Sequence, residues 1–400
     1  MPGHDPTSDP ADVVVVGGGI VGCSAAAFLA GAGARVTLVE VGEVASGASG
    51  RNSGVVQHPF DPALRDIHQA TMAAYRELAD EADLGFSLPA EPAGLLLVAL
   101  EPGGPRALTE VLRDEWPELE PTFVDADELR RLEPGLAPEV AACRVRIGYP
   151  VPPAAATRAY ASLAERRGVR VLTGTGAASL VRERGRGRVT GVRLTDGTIL
   201  AAGAVLVAAG PWTPGLLDPT GAWRPIRPFW GVVAEIGLAE PPRHILEESG
   251  MDEALGGVAP SVEADADGER PDFSLVTALG RSSLGSTFLE AEPDARAWVP
   301  RLVARGGRFV PAIAKAPIGA IRACARPLSL DERPLLGPLP GMPGAFIAAG
   351  HGPWGISTGP GSARLVCAGI LGQRVAIPPE LDAARFHSPE GGGPGSPGAR

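Results

Sequence analysis

The sequence predicts an α/β fold, α+β when the whole chain is counted, and three observations carry that expectation. A β-branched run meets a glycine-rich turn and a small-residue helix within residues 12–40. Residues 153–211 run through an Ala-rich helix, the strand "VRVLTG", a hairpin turning at Asp196-Gly197 and the strand "AVLVAAG". A second glycine-rich strand-to-helix turn follows the late strand "GAFIAAG" and opens the apolar helix "RLVCAGILG".

Composition bounds the rest. A chain of 400 residues, 44% apolar, can bury the core of one large domain or two ordinary ones. A net charge of -10 offers no basic field for phosphate backbones, which excludes nucleic acid as a partner. The opening "MPGHDPTSDPAD" lacks the basic flank and apolar stretch of an export signal, and the run from Val13 to Ile20 is too short to span a bilayer. A cytoplasmic protein with no membrane span is expected. Cys23, Cys143, Cys324 and Cys367 stand far apart and do not cluster with the six histidines, so neither a metal site nor a disulfide framework is expected. Residues 1–10 and 388–400, the latter "SPEGGGPGSPGAR", carry too little apolar surface to offset ordering entropy and read as flexible tails.

The segment "DVVVVGGGIVGCSAAAFLAGAGARVTLVE" is a βαβ unit with Gly17, Gly19 and Gly22 in GxGxxG spacing. Gly17 permits the tight turn, Gly19 lets a pyrophosphate approach the backbone, and Gly22 lets the helix lie close to the strand. The amides of Ile20, Val21 and Gly22 then face the anion at the helix N-terminus. Glu40, ending the second strand, can accept hydrogen bonds from an adenosine ribose and would repel a 2′-phosphate, which argues against NADP. The unit binds a dinucleotide.

After Glu40, "VGEVASGASGRNSGVVQHPFD" is too long for an ordinary βα turn. Ser49, Arg51, Asn52, Ser53 and Gly54 offer donors and close approach to a phosphate or ring, although a plain Gly/Ser surface loop reads equally well. The late turn presents a second set of free amides at a helix N-terminus, which a nicotinamide site does not need.

Four blocks in order, "GGGIVGCSAAAFLAGAGARVTLVE", "GASGRNSGVV", "AVLVAAGPW" and "RPLSLDERPLLG…AAGHGPWGISTGPGSARL", make residues 11–375 resemble the D-amino-acid oxidase superfamily of FAD-dependent oxidoreductases, in its glycine oxidase and sarcosine oxidase branch. The resemblance implies a discontinuous, Rossmann-like FAD-binding domain (11–79, 151–222 and 321–378) interleaved with a mostly antiparallel β substrate domain (80–150 and 223–320). Strands "PFWGVVAEI" and "RSSLGSTFLEAE" would line the latter. It also implies FAD contacts from Ala209, Gly210 and Trp212, and from Gly350, Gly352, Trp354, Gly355, Ile356 and Ser357.

The implied activity is oxidation of a small amino acid or N-methyl amino acid at its C–N bond, by hydride transfer to flavin N5. The imine formed hydrolyses to an oxo acid, and O2 or another acceptor reoxidises the flavin. By resemblance Arg326 binds the substrate carboxylate as a bidentate fork, with Arg322 as the competing candidate. The other reading of Arg326 is a strand brace, paired with Asp331 or a carbonyl. His351 either tunes charge beside the flavin or is a satisfied core histidine. Trp230 and Trp354 are candidate walls of an amine cage, with core packing as the alternative.

Covalent flavin attachment through histidine is excluded by Arg51 at that register. Cys324 stands near the cysteine register, and non-covalent FAD is the expectation. Ser283 stands where sarcosine oxidases place an oxygen-activating lysine. A flavin dehydrogenase of 2-hydroxy acids, a tailoring amine oxidase and a non-catalytic flavoprotein subunit remain alternatives, and a homo-oligomer stays open.

Overall fold

The computed structural model describes residues 11–183, 187–250 and 271–386, so the tails expected at 1–10 and 388–400 lie outside the described residues. The chain opens with β1 (Ala11–Val16), α1 (Ile20–Gly31), β2 (Val36–Val39), α2 (Ala48–Arg51), β3 (Val55–Val56) and α3 (Arg65–Asp80). It crosses to a second unit through β4 (Leu95–Ala99), α4 (Gly103–Glu115), β5 (Thr122–Val124), α5 (Ala126–Leu132) and β6 (Ala141–Val145). A short β7 (Tyr149–Pro150) pairs with β3 and leads back. The first unit resumes with α6 (Ala155–Arg166), β8 (Arg170–Leu172), β9 (Ala177–Arg182), β10 (Val189–Leu194), β11 (Ile199–Val207) and α7 (Thr213–Leu217). The second regains the chain in β12 (Ile226–Ile236), β13 (Ile245–Glu248), β14 (Ser274–Ala278), β15 (Arg281–Gly285), α8 (Ala295–Phe309) and β16 (Ile318–Ser329). The described chain then adds β17 (Leu335–Pro338), β18 (Ala345–Ala349) and α9 (Gly355–Ile370) to the first unit.

The first sheet runs β17-β18-β11-β1-β2-β8, with the β9–β10 hairpin extending from β11. Its central pairs, β18 with β11, β11 with β1 and β1 with β2, are all parallel. Val13 to Val16 are buried, as expected for a parallel strand covered on both faces. Helix α1 is buried around most of its circumference, which explains its small residues Ala25, Ala26 and Ala27. The second sheet runs β16-β12-β15-β14-β13-β4-β6-β5 and is antiparallel except between β13 and β4. Because β16 pairs along its length with β12, residues 321–329 belong to the second sheet and not to the first, which moves the expected boundary to Ser329.

Two elements differ from expectation. Helix α9 begins at Gly355, well before the apolar run, because its glycines are packing positions: a Cβ on Gly361 would collide with the Ile67 carbonyl, and one on Gly359 would press on Ile20 and Val21. Pro360 has no N–H for Ile356, and the Tyr75 hydroxyl donates to that carbonyl at 2.7 Å instead. The strand "RSSLGSTFLEAE" stops at Gly285; Ser286 still exchanges two backbone hydrogen bonds with Asp272, and Thr287 and Phe288 lie outside any strand.

One face of the second sheet packs on α8, where Val232, Leu246, Leu275 and Leu284 meet Trp298, Leu302 and Phe309. Within that core Arg305 pairs with Glu248, Nε to Oε2 at 2.9 Å, and the same carboxylate accepts from the Phe273 amide. The other face turns toward the first unit.

His351, just past β18, bridges in backbone to Leu328 of β16 and so joins the two sheets. It is 2% exposed, its Nε2 has no partner, and burial lowers its pKa to about 4. Below pH 6.5 the unfolded chain takes up a proton that folded His351 refuses, so stability is full above that pH and is lost as pH falls toward 4. The loss amounts to about 3 kcal/mol at 1.36 kcal/mol per unit. The melting midpoint should drop between pH 7 and pH 4.5, and His351→Leu, which sacrifices no hydrogen bond of Nε2, should flatten that drop. Equal pH slopes in parent and variant would refute the assignment.

Candidate functional site

Parallel strand order brings the three glycine-rich turns to one edge. Val16 is level with Val207, and Val207 with Ile347, so Gly17, Ala208 to Gly210 and Gly350 follow at neighbouring strand ends, where ligands bind in open α/β sheets. Gly17, at φ +114°, could not carry a Cβ without striking the Ala208 carbonyl, and a Cβ on Gly22 would strike the carbonyl of Gly17. These two glycines serve the protein's own packing. On Gly19 a Cβ would meet only Ser49, with Oγ at 3.1 Å, and would otherwise project into the space outside the strand ends. That cradle fits a pyrophosphate, which a Gly19 side chain would obstruct.

Glu40 is held at the end of β2 by two backbone amides, Gly18 N to Oε2 at 2.6 Å and Gly42 N to Oε1 at 2.8 Å, with lone pairs left for ribose hydroxyls. The Ile20 amide donates to Ser49 Oγ at 2.9 Å, which ties the 46–54 segment to the N-terminus of α1. Other first-turn amides there, including that of Val21, have no intrahelical acceptor.

Several expected cofactor contacts have other work for their side chains. Asn52 Nδ2 donates to the carbonyls of Ala48 and Ser49, and its Oδ1 accepts from Gly54 N, so it shapes the loop. Ser357 Oγ accepts from Gln57 N at 2.9 Å and joins α9 to the segment after β3. Arg51 is exposed and reaches the Ala323 carbonyl on β16, the edge strand of the second sheet. Trp212, in the turn after β11, is 64% exposed. Ser53 approaches the second sheet, its Oγ 3.8 Å from where a Cβ on Gly285 would lie.

Period-2 alternation sets which side chains of the second sheet face that segment. On β16 they are Arg322, Cys324 and Arg326; on β12, Phe229, Gly231 and Val233; on β15, Ser283 and Gly285. Trp230 belongs to the opposite face and packs on the α8 core, so it cannot wall a cage here. Trp354 packs against the core of the first unit, and no Trp230–Trp354 pair forms.

The Arg326 guanidinium lies over Gly231, where a Cβ would collide with it. Its Nη1 donates to the Thr287 carbonyl at 2.8 Å, its Nη2 to Ser286 Oγ at 2.8 Å, and its Cζ stands 4.7 Å from the Phe288 ring centroid. Asp331, the alternative partner, pairs with Arg385 instead. Ser286, Thr287, Phe288 and Phe229 are the surroundings that sequence reading missed. The signal was parity on β12, which favours Phe229 over Trp230.

Arg322 donates to Ser283 Oγ at 3.0 Å, and its Nε is buried without a partner. Among the described residues neither Arg322 nor Arg326 has a carboxylate within ion-pair distance; Glu235 acts on the first and Asp272 on the second only through space. Burial, the largest effect on each, pulls both below the usual arginine range. His351 is buried and its pKa is lowered to about 4, and its Nε2 has no partner among the described residues. No helix among the described residues is long and apolar enough to cross a membrane.

The same architecture occurs in solved structures. Glycine oxidase from Bacillus cereus superposes with a TM-score of 0.77 at 23% identity, covering 93% of this chain and 98% of that one. L-proline dehydrogenase from P. horikoshii gives 0.78 at 19% identity, with 94% and 98% covered. In sequence the chain is 28% identical to glycine oxidase of Pseudomonas putida over 393 residues, 95% of this chain and 98% of that protein. It is 26% identical to hydrogen cyanide synthase subunit HcnC of Pseudomonas aeruginosa over 396 residues, covering 87% and 89%. The sequence profile of the FAD dependent oxidoreductase family, DAO, matches residues 12–368, from the first strand through most of α9, and the chain belongs to that family.

Proposed function

We propose that this FAD-dependent oxidoreductase oxidises the C–N bond of a small amino acid or N-methyl amino acid, with Arg326 receiving the substrate carboxylate. The observation that carries this reading is a guanidinium that has no carboxylate partner among the described residues, on the sheet face turned to the proposed cofactor segment. Its two bonds to neutral oxygens aim the fork, and Phe288 stacks beneath it. The small Gly231 opposite leaves the guanidinium room to lie flat. Relatives named glycine oxidase and D-amino acid dehydrogenase support the substrate class. When bound, the flavin supplies the acceptor for the α-hydrogen as hydride. The chain's own part is to fix the α-carbon through the carboxylate and to keep water from the reacting face.

FAD is assigned to the turn that Gly17 and Gly22 shape by packing, with Gly19 and Glu40 facing the cofactor and the turns at 209–212 and 350–357 completing the edge. Gly19→Val should purify as a soluble, colourless protein, since its branched side chain enters the cofactor's space. Gly22→Ala should fail earlier, in folded yield, because its Cβ meets the backbone of Gly17. Stoichiometric flavin in soluble Gly19→Val would remove the assignment.

Attachment is non-covalent in this reading. Cys324 is buried on the same face as Arg326, so the matter is decided by acid precipitation. Colour should pass to the supernatant. Colour kept in the pellet of the parent but lost from that of Cys324→Ser would reverse the conclusion.

Arg326→Leu leaves a buried substrate carboxylate uncompensated, at a cost of roughly 3 to 5 kcal/mol. Turnover efficiency on the best amino acid should fall by roughly two to four orders of magnitude while flavin content holds. Parental flavin reduction rate and affinity in holo Arg326→Leu would reduce the arginine to a strand brace. Anaerobic bleaching with glycine, D-amino acids, N-methyl amino acids and 2-hydroxy acids identifies the donor. Reoxidation with O2 against a quinone then identifies the acceptor.

A further inference from the structure

We infer that the substrate carries a second carboxylate, received by Arg322, so that the preferred donor is an amino dicarboxylate. The inference rests on the reading of Arg326 given above and asks what the other guanidinium on that face is for. Arg322 and Arg326 are four residues apart on β16, with side chains on the same face. Among the described residues both have bonds to neutral acceptors only: Ser283 Oγ and, at 3.5 Å, the Asn52 carbonyl for Arg322; Ser286 Oγ and the Thr287 carbonyl for Arg326.

Two partly desolvated cations without a matching carboxylate are expensive to keep, and one substrate carboxylate answers only one of them. The Nε of Arg322 is a buried donor with no acceptor, whereas a site complete in itself would satisfy it. Glu235, the described carboxylate whose charge acts on Arg322, is itself 3.5 Å from Arg281. Burial lowers the pKa of both arginines, but neither is brought near neutrality as a deprotonated base, since arginine stays charged in proteins.

The span suits a short diacid. Same-face residues four apart on a strand have Cα atoms about 13 Å apart. Arg326 bends back over Gly231, whose strand partner is Cys324, midway between the two arginines, so the guanidinium lies nearer Arg322 than its own Cα does. The positions between the two arginines on this face, Cys324 and its strand partner Gly231, are both small. A chain of a few carbons bearing a carboxylate at each end is the kind of ligand such a pair would take, with the amine between the carboxylates or beside one.

The test uses purified holoenzyme, with Arg322→Met and Arg322→Lys as variants. Perturbation of flavin absorbance is titrated with malonate, succinate and glutarate against acetate and butyrate, none of which is an amine donor. Flavin reduction is then compared for D-aspartate, D-glutamate and iminodiacetate against glycine, D-alanine and sarcosine. At least one diacid should bind the parent tenfold or more tighter than its monoacid counterpart. Arg322→Met should erase that preference while changing monoacid binding less than threefold, and Arg322→Lys should restore part of it. Equal binding of mono- and diacids by the parent would overturn the inference, as would equal weakening of both classes in Arg322→Met. Loss of flavin from both variants would overturn it too, by assigning Arg322 to the cofactor. A parent that binds diacids through Arg322 but is reduced by no amine would keep Arg322 as a second carboxylate site, and would overturn the amino dicarboxylate donor together with the amine-oxidation reading.

Discussion

Backbone meets backbone at the first turn of the chain, and the rest of the structure is arranged around that contact. Gly22 of α1 lies so close to Gly17 that no side chain could be interposed, and Gly17 in turn abuts the end of β11. This seats α1 on the sheet. Helix α9 then rests on α1 through Gly359, and α3 on α9 through Gly361. Gly17, Gly22 and Gly361 each use a missing Cβ to bring main chains together, while Gly359 makes room for the Ile20 and Val21 side chains, and the sum fixes where three remote turns meet. A methyl group on Gly22 or Gly361 would strike a carbonyl and displace its helix.

The arginines on β16 face outward from the core of their own sheet, toward the 46–54 segment of the first unit. A net charge of -10 gives no hint of a cationic interior surface, yet Arg322 and Arg326 stand there together. Among the described residues neither arginine has an acid within ion-pair distance, and Glu248, the carboxylate buried in the α8 core, is already paired with Arg305. Charge at the site is therefore a local arrangement made by strand parity, and the overall composition says nothing about it.

How much of this was legible in the sequence follows the range of the interactions. The βαβ unit and the hairpin turning at Asp196-Gly197 could be read because strand, turn and helix are set by neighbours along the chain. The motif around Arg326 is local and could be read, whereas its contacts with Ser286 and Thr287 could not, since they depend on where β15 ends. Trp230 was misplaced by one residue of parity, which carries a side chain to the opposite face. The early start of α9 was hidden because glycine and proline normally end helices, and only tertiary packing on Ile67 and Tyr75 explains their inclusion. The Ser329 boundary was invisible for the same reason: β16 reads like any strand, and its partner is ninety-odd residues earlier.

The order of strands in the first sheet has a consequence for how the protein is born. β1 leaves the ribosome early, but one of its two neighbours, β11, begins at Ile199, and β18, which covers β11, begins at Ala345. At typical synthesis rates of about 5–20 residues per second, the open edge of β1 waits on the order of 10 to 40 seconds for its partner. Over that interval a four-valine strand is exposed to pairing with any other edge. Yield in a foreign host should therefore be governed less by the stability of the finished sheet than by what shelters the nascent chain while its second half is made.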